Sequence, residues 1–221
     1  MQPLEYLQLQ LRLEGLEVID GSRLRQVEIV PDEEVPLLLM AQLADLELVV
    51  YYDEAISASL QTDLSAHVPE VKFPEIEPLL HILRSHKIQL DIGHFKTYVF
   101  PSQPAQGIGV MCLAKDDPGI KAFGFDSFSE NVYAIQEDGA VISACVSARE
   151  NARCGEAWVF TSPEYRHLGW AQKVVQAWAA SLMEAGKVPF YSHIIGNTAS
   201  TSLAAKLGLQ PVFEEITIVL V

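Results

Sequence analysis

Trp158-Val159-Phe160-Thr161-Ser162-Pro163-Glu164-Tyr165-Arg166-His167-Leu168-Gly169-Trp170-Ala171 is the stretch on which the reading of this chain turns. It suits a strand over Glu156–Thr161, a turn at Pro163, and a short loop opening a long helix over Gly169–Ala185. Ala171, Val174, Val175, Trp178 and Leu182 fall on one face of that helix, and Gly186 stops it. A helix start exposes unpaired backbone N–H groups and the positive end of the helix dipole, a combination that binds phosphate. Gly169 lets the main chain approach a diphosphate closely, Ala171 keeps the next contact small, and Arg166 can add a cation. The same residues also suit a plain strand-to-helix connection. No Gly-Lys-Ser/Thr follows, so this is not a P-loop, and only one of the three glycines of a dinucleotide fingerprint is present.

Downstream, Pro189–Ile194 reads as a strand, Asn197 starts a helix running to Leu207 that Gly208 ends, and Glu214–Val221 reads as a closing strand. Upstream, Ile108–Leu113 is a strand candidate and Asp116–Phe128 carries a short helix. Val132–Gln136 and Ala140–Ala148 form a hairpin through Glu137-Asp138-Gly139. The order of elements predicts an α/β (α+β) fold, a mixed sheet flanked by helices. In the first half, residues 7–13 alternate as a strand would, although the leucine pattern to Leu16 also fits a helix. Val27–Val30 suits a short strand, Pro36–Leu43 and Leu46–Tyr52 a hairpin, and Asp53–His67 a helix capped by Asp53. Pro74–His86 suits another helix, and Lys96–Phe100 an extended segment. Pro101–Gly107 is the linker candidate, dividing the chain into an amino-terminal α/β region (1–104) and a carboxy-terminal domain (105–221).

The 221 residues carry a net charge of −14, which repels nucleic-acid backbones and anionic membranes and favours an amine-bearing partner, besides serving solubility. The longest uncharged apolar stretch, Val35–Ala44, is too short to span a bilayer, and the amino terminus lacks the basic and apolar regions of a secretory signal. Cys112, Cys145 and Cys154 show no paired spacing, which fits a reducing cytoplasm, and no His/Cys cluster has metal-ligand spacing. Trp158 and Trp178 read as core packing.

Arg166-x-x-Gly169-x-Ala171, after a strand ending Thr161-Ser162-Pro163-Glu164-Tyr165, resembles the Arg/Gln-x-x-Gly-x-Gly/Ala pyrophosphate loop of the GNAT superfamily. Pro189-Phe190-Tyr191-Ser192, then Asn197, Ser200 and Lys206-Leu207-Gly208-Leu209, is similar to that family's next strand and helix, in the right order and with the right gap. The resemblance covers roughly residues 131–221. It implies acetyl-CoA as co-substrate, lying in a V-shaped opening between strands Glu156–Thr161 and Pro189–Ile194. Pantetheine would pair with main-chain groups of Val159 and Thr161. The diphosphate would sit on the N–H groups of His167, Leu168, Gly169, Trp170 and Ala171 beside Arg166, while Asn197 and Ser200 would face the pantetheine arm or the adenylate end. Family members often have Gly where this chain has His167 and a basic residue where it has Leu168. Many carry a Tyr, the general acid for the thiolate, where this chain has Ala204.

The implied reaction is N-acetyl (short acyl) transfer to a primary amine by direct attack on the thioester; a non-catalytic acyl-CoA-binding sensor or interaction module is the alternative. The amine must lose a proton, having a pKa of about 10, and the oxyanion needs an N–H donor, expected from Val159 or Phe160. Glu156, in an otherwise apolar run, is the first candidate base; Tyr191 and Ser192 are candidate donors to the thiolate, and His193, on Tyr191's side of its strand, suits either a base near the acceptor or a hydrogen-bonded structural histidine. A thiol pKa near ~8.5 also lets the thiolate depart unaided. The amino-terminal region is expected to cover the acceptor side. Ile216–Val221 suits either pairing across a homodimer or an internal edge.

Overall fold

The computed structural model describes residues 1–30, 34–69, 71–85, 89–105, 107–125 and 131–220. The chain forms two compact units, residues 1–97 with 211–221 and residues 98–210. The sequence puts the division at 104/105 instead. The difference arises because the closing strand pairs with an early one and so returns to the first unit.

The first unit opens with helix α1 (Pro3–Leu13), not the strand that the alternation over residues 7–13 predicts. Its ends decide this. Pro3 stands at the first helical position, and a capping box joins Gln2 to Glu5, whose side chain accepts from the Gln2 N–H at 2.7 Å. Leu7, Leu9, Leu11 and Leu13 are all buried. Strands β1 (Leu16–Ile19) and β2 (Arg23–Gln26) follow, so the strand expected at Val27–Val30 lies earlier in the chain. The expected hairpin is present as β3 (Leu38–Leu43) and β4 (Leu48–Asp53), paired antiparallel. Helix α2 (Ala58–Ser65) starts later than predicted because Ser57, not Asp53, caps it; the Ser57 hydroxyl accepts from the Leu60 N–H, while Asp53 closes β4 and accepts from the Ala55 N–H. Helix α3 (Ile76–Ser85) and strand β5 (Leu90–Val99) complete the first pass, and the unit is closed by the last strand of the chain, Gln210–Leu220. The strand order in this unit is β1-β2-β4-β3, then the closing strand, then β5. Leu38, Met40, Leu64, Leu79, Leu83 and Ile218 form its core.

The second unit contains β6 (Met111–Ala114), α4 (Pro118–Phe123), β7 (Asn131–Glu137), β8 (Ala140–Glu150), β9 (Cys154–Thr161), α5 (Trp170–Glu184), β10 (Val188–Ile194) and α6 (Thr198–Leu207). The closing strand is therefore β11. The predicted order of elements holds, with bounds moved by a few residues; the end of the helix read over Asp116–Phe128 lies outside the described residues. The strand order is β10-β9-β8-β7-β6, antiparallel except for the parallel pair β9/β10. Asp138 and Gly139 both have positive φ (51° and 80°), the conformation that a two-residue β7–β8 turn needs. Helices α5 and α6 cover one face, burying Val174, Val175, Trp178, Tyr191 and Ala204. Helix α4 covers part of the other, burying Ile120 against Val132, Ala144 and Val146. Among the described residues no helix is long and apolar enough to cross a membrane.

Candidate active site

Strands β9 and β10 pair only where they begin. Their parallel ladder joins Cys154, Gly155 and Glu156 to Val188, Pro189 and Phe190. Beyond it β9 continues to Thr161, still paired with β8 through Val159↔Cys145 and Thr161↔Ser143, and β10 continues to Ile194. Among the described residues no ladder joins 157–161 to 191–194. The strands therefore part into a notch between the two strands that the family resemblance implies.

The loop after β9 is shaped by backbone conformation. Pro163–Tyr165 makes one 3-10 turn, Arg166 is extended, and both His167 (φ 66°) and Gly169 (φ 83°) are left-handed. A side chain at such a φ costs roughly 1–2 kcal/mol, a cost that His167 carries and Gly169 avoids. Gly169 is the N-cap of α5 and no side chain caps the helix, so no capping side chain takes its first N–H groups. A Cβ built on Gly169 meets nothing within 4 Å, so there is room beside the N-cap. Two cations flank it. Arg166 donates from Nε to the Thr161 carbonyl at 3.1 Å and lies 5.7 Å over the Phe160 ring, while Lys173 Nζ lies 4.4 Å over the Trp170 ring. An uncapped helix start between two cations fits a diphosphate.

The predicted residues divide by sheet face. Ala157 and Val159 pack toward α5 and Tyr191, whereas Trp158 and Phe160 lie on the opposite face, 52% and 42% exposed. Trp158 is thus not core, as the sequence suggested; Trp178 is. Phe123 of α4 meets the Phe160 ring at 5.6 Å. Thr161 is held by Ser143, hydroxyl to hydroxyl at 2.8 Å. Asn197 caps α6, its Oδ1 accepting from the Ser200 N–H at 3.1 Å. Tyr191 is buried; burial pushes its hydroxyl pKa up, against a hydrogen bond with Ser200 that lowers it. Ser192 is half-buried.

Glu156 is buried at 6% exposure, and its Oε2 accepts from Arg149 Nε at 3.0 Å and Nη2 at 2.5 Å. The sequence offers Glu156 as a base; the structure commits its carboxylate to Arg149. The pair exists because β8 bulges at Ala148, which places Arg149 directly across from Glu156. Nothing in the spacing of the sequence reveals that bulge. Glu156→Gln is expected to destabilise the protein by about 1.5–3 kcal/mol, the worth of a buried charge-assisted hydrogen bond, and to leave any turnover by the folded protein within a few-fold. Thermal melts and turnover on one preparation test this, and a 100-fold fall in turnover at full folding would return the base role to Glu156.

The two buried thiols are unsuited to nucleophilic work. Desolvation pushes Cys145 well above an ordinary thiol and Cys154 up to about 11, and Cys112 is the exposed one. Among the described residues no group of three or more His, Cys, Asp and Glu side chains could hold a metal ion.

Residues 125–216 match the family model described as GNAT acetyltransferase. A 94-residue segment is 37% identical to "Uncharacterized N-acetyltransferase YdfB" of Bacillus subtilis (strain 168), covering 42% of this chain and 33% of that protein. The chain thus spans about a third of that relative's length. Two solved structures share the fold at a TM-score of 0.50. One is a putative GNAT acetyltransferase from Novosphingobium aromaticivorans (18% identical, 59% of this chain and 66% of that one), the other a GNAT-family acetyltransferase from Colwellia psychrerythraea (11% identical, 100% and 98%). Over residues 125–216, then, this chain is similar to GNAT acetyltransferases, and that match covers less than half of its length.

Proposed function

We propose that the protein is an acyltransferase that moves an acetyl, or other short acyl, group from CoA to a primary amine by direct attack. One observation carries this reading: β9 and β10 part immediately beside an uncapped helix start. A chain that needed only a strand-to-helix connection would have no reason to leave both the sheet and the helix end unsatisfied. In this reading the N–H groups of residues 167–171, with Arg166, hold the diphosphate of acetyl-CoA. Main-chain groups of Val159, Phe160 and Thr161 line the pantetheine arm and face the developing oxyanion. Asn197 and Ser200 bound the far side. Tyr191 and Ser192, on the unladdered half of β10, would serve the departing thiolate. The acidic chain suits an amine-bearing acceptor in the cytoplasm, and neither nucleic acid nor membrane is a partner.

A second reading is a non-catalytic acyl-CoA-binding module, favoured by Ala204, a buried methyl with no proton to give. The two separate in one assay. The purified protein is titrated with acetyl-CoA by calorimetry, then supplied with a panel of primary amines while free thiol is measured. Saturable binding with amine-dependent thiol release is expected. Binding without release supports the module, and no binding by folded protein ends both readings.

A further inference from the structure

Acyl transfer to an amine requires a group that accepts the amine's proton, and the second unit holds one unused candidate. Two of this unit's buried side-chain polar atoms have no hydrogen-bond partner among the described residues, Trp170 Nε1 and His193 Nε2. Indole nitrogen only donates. Nε2 of His193 is therefore the buried atom with accepting capacity. His193 is 7% exposed and lies on β10 three residues past the end of the β9/β10 ladder, on the half of the strand that borders the notch. Its Nδ1 lies 3.0 Å from the Ile194 carbonyl oxygen. A carbonyl only accepts, so Nδ1 carries the proton, and in the neutral ring Nε2 presents a lone pair. The ring is fixed by stacking on Tyr98 (centroids 5.5 Å, 25° between planes) and by an edge contact with Tyr191 at 6.4 Å. A buried acceptor with no donor carries its desolvation penalty uncompensated, and at a notch that implies that something else completes the pair.

We propose that His193 is a catalytic residue whose Nε2 takes the proton of the attacking amine. The inference rests on the acyltransferase reading. The amine nitrogen's lone pair forms the new C–N bond, and the C–S bond breaks with its electron pair on sulfur. The nitrogen's proton passes to Nε2 and from there to the thiolate, so amine and acyl-CoA become amide and free CoA with nothing left over. The other groups nearby are less suited. Tyr191 is held protonated by burial, Cys145 is fully buried with a raised pKa, and the Glu156 carboxylate is bound to Arg149. The titratable groups facing the ring are Tyr98 from β5 and Tyr191 from its own strand, with Cys145 of β8 beside Tyr191. Among the described residues no carboxylate or cation lies within ion-pair distance of it.

The test is His193→Gln in the full chain, with acetyl-CoA binding, thiol release to the best amine of the panel, and its pH dependence measured together. The expected result is unchanged acetyl-CoA affinity and a fall in kcat/KM of about 10²–10³-fold, the worth of a general base. Wild type should also lose activity on the acid side with a slope of one, and the variant should lack that limb. A variant that binds, turns over and keeps the acid limb overturns the proposal. Where the variant fails to fold or no amine on the panel reacts, imidazole ¹⁵N spectra of histidine-labelled wild type decide. A neutral Nδ1–H tautomer whose Nε2 resonance moves on adding acetyl-CoA supports it; an Nε2–H tautomer, or a ring unmoved at saturation, overturns it. A wild type that binds no acetyl-CoA ends the acyltransferase reading itself, a result distinct from failure of His193 alone.

Discussion

Gly169→Glu is expected to weaken acetyl-CoA binding by about 10²–10³-fold while leaving the protein folded. The structure separates the two effects. A Cβ at this position meets no atom within 4 Å, so a side chain has room, and its φ of 83° sets a penalty of roughly 1–2 kcal/mol for any residue but glycine. A carboxylate at a helix start also interacts favourably with the dipole, by about 0.3–1 kcal/mol, which offsets part of that strain. Stability therefore changes little. Binding does not escape so lightly, because the same carboxylate occupies the room beside the α5 N-cap and faces the diphosphate charge. Two like charges about 4 Å apart repel by about 4 kcal/mol at a surface-like dielectric, and every 1.4 kcal/mol is about a factor of ten. Gly169→Ala is the control: it carries the strain without the charge, and a loss of no more than about tenfold is expected. Calorimetric titration of the three proteins, with far-UV circular dichroism to confirm folding, checks the result. Wild-type affinity in a folded Gly169→Glu protein would move the diphosphate off this loop and take the acyltransferase reading with it.

The second half of the fold was legible because its signals are local. Asp138-Gly139 can make a tight β7–β8 turn by conformation alone, Asn197 and Gly208 begin and end α6 within a few bonds of themselves, and Gly169 opens α5 the same way. The notch was expected only through the resemblance of the Arg166–Ala171 loop and the Pro189–Leu209 segment to the GNAT pattern. The first half offered weaker punctuation. Leucines at residues 7, 9, 11 and 13 satisfy a strand pattern, and only the cap formed by Gln2 and Glu5 turns them into a helix. Ser57 and Asp53 are both acceptable caps in sequence, and the strand ending at Asp53 decided between them. What stayed hidden in the site was non-local. The Arg149–Glu156 pair depends on a bulge in β8, and the rings around His193 come from strands nearly a hundred residues apart. The φ of His167 shows another limit: the sequence marks the residue as a departure from the family pattern, but only the backbone shows it in a conformation that glycine would adopt without cost.

Trp178→Ala should be the most destabilising single change in the second unit. Trp178 is 1% exposed, packs among Tyr98, Cys145, Val174, Leu182 and Tyr191, and donates from Nε1 to Ser147 Oγ at 2.9 Å. That hydroxyl in turn donates to Glu150, whose other oxygen accepts from Lys187 at 2.7 Å, so the indole ties α5 to β8 and to the start of β10. Truncating a buried Trp costs about 3–5 kcal/mol through lost transfer energy and the cavity left behind. For a protein of this size that lowers the midpoint of thermal unfolding by on the order of 10 °C. Trp178→Phe keeps most of the packing and gives up the hydrogen bond, so a smaller loss is expected, about 1–2 kcal/mol. Calorimetric melts of the three proteins test the order. Because β9 and β10 are held in place partly by this residue's contacts, the Ala variant should also bind acetyl-CoA with a steeper temperature dependence, approaching wild-type affinity only well below its own midpoint. A Trp178→Ala protein that melts with the wild type would mean that α5 is anchored elsewhere, and that the notch does not depend on this core.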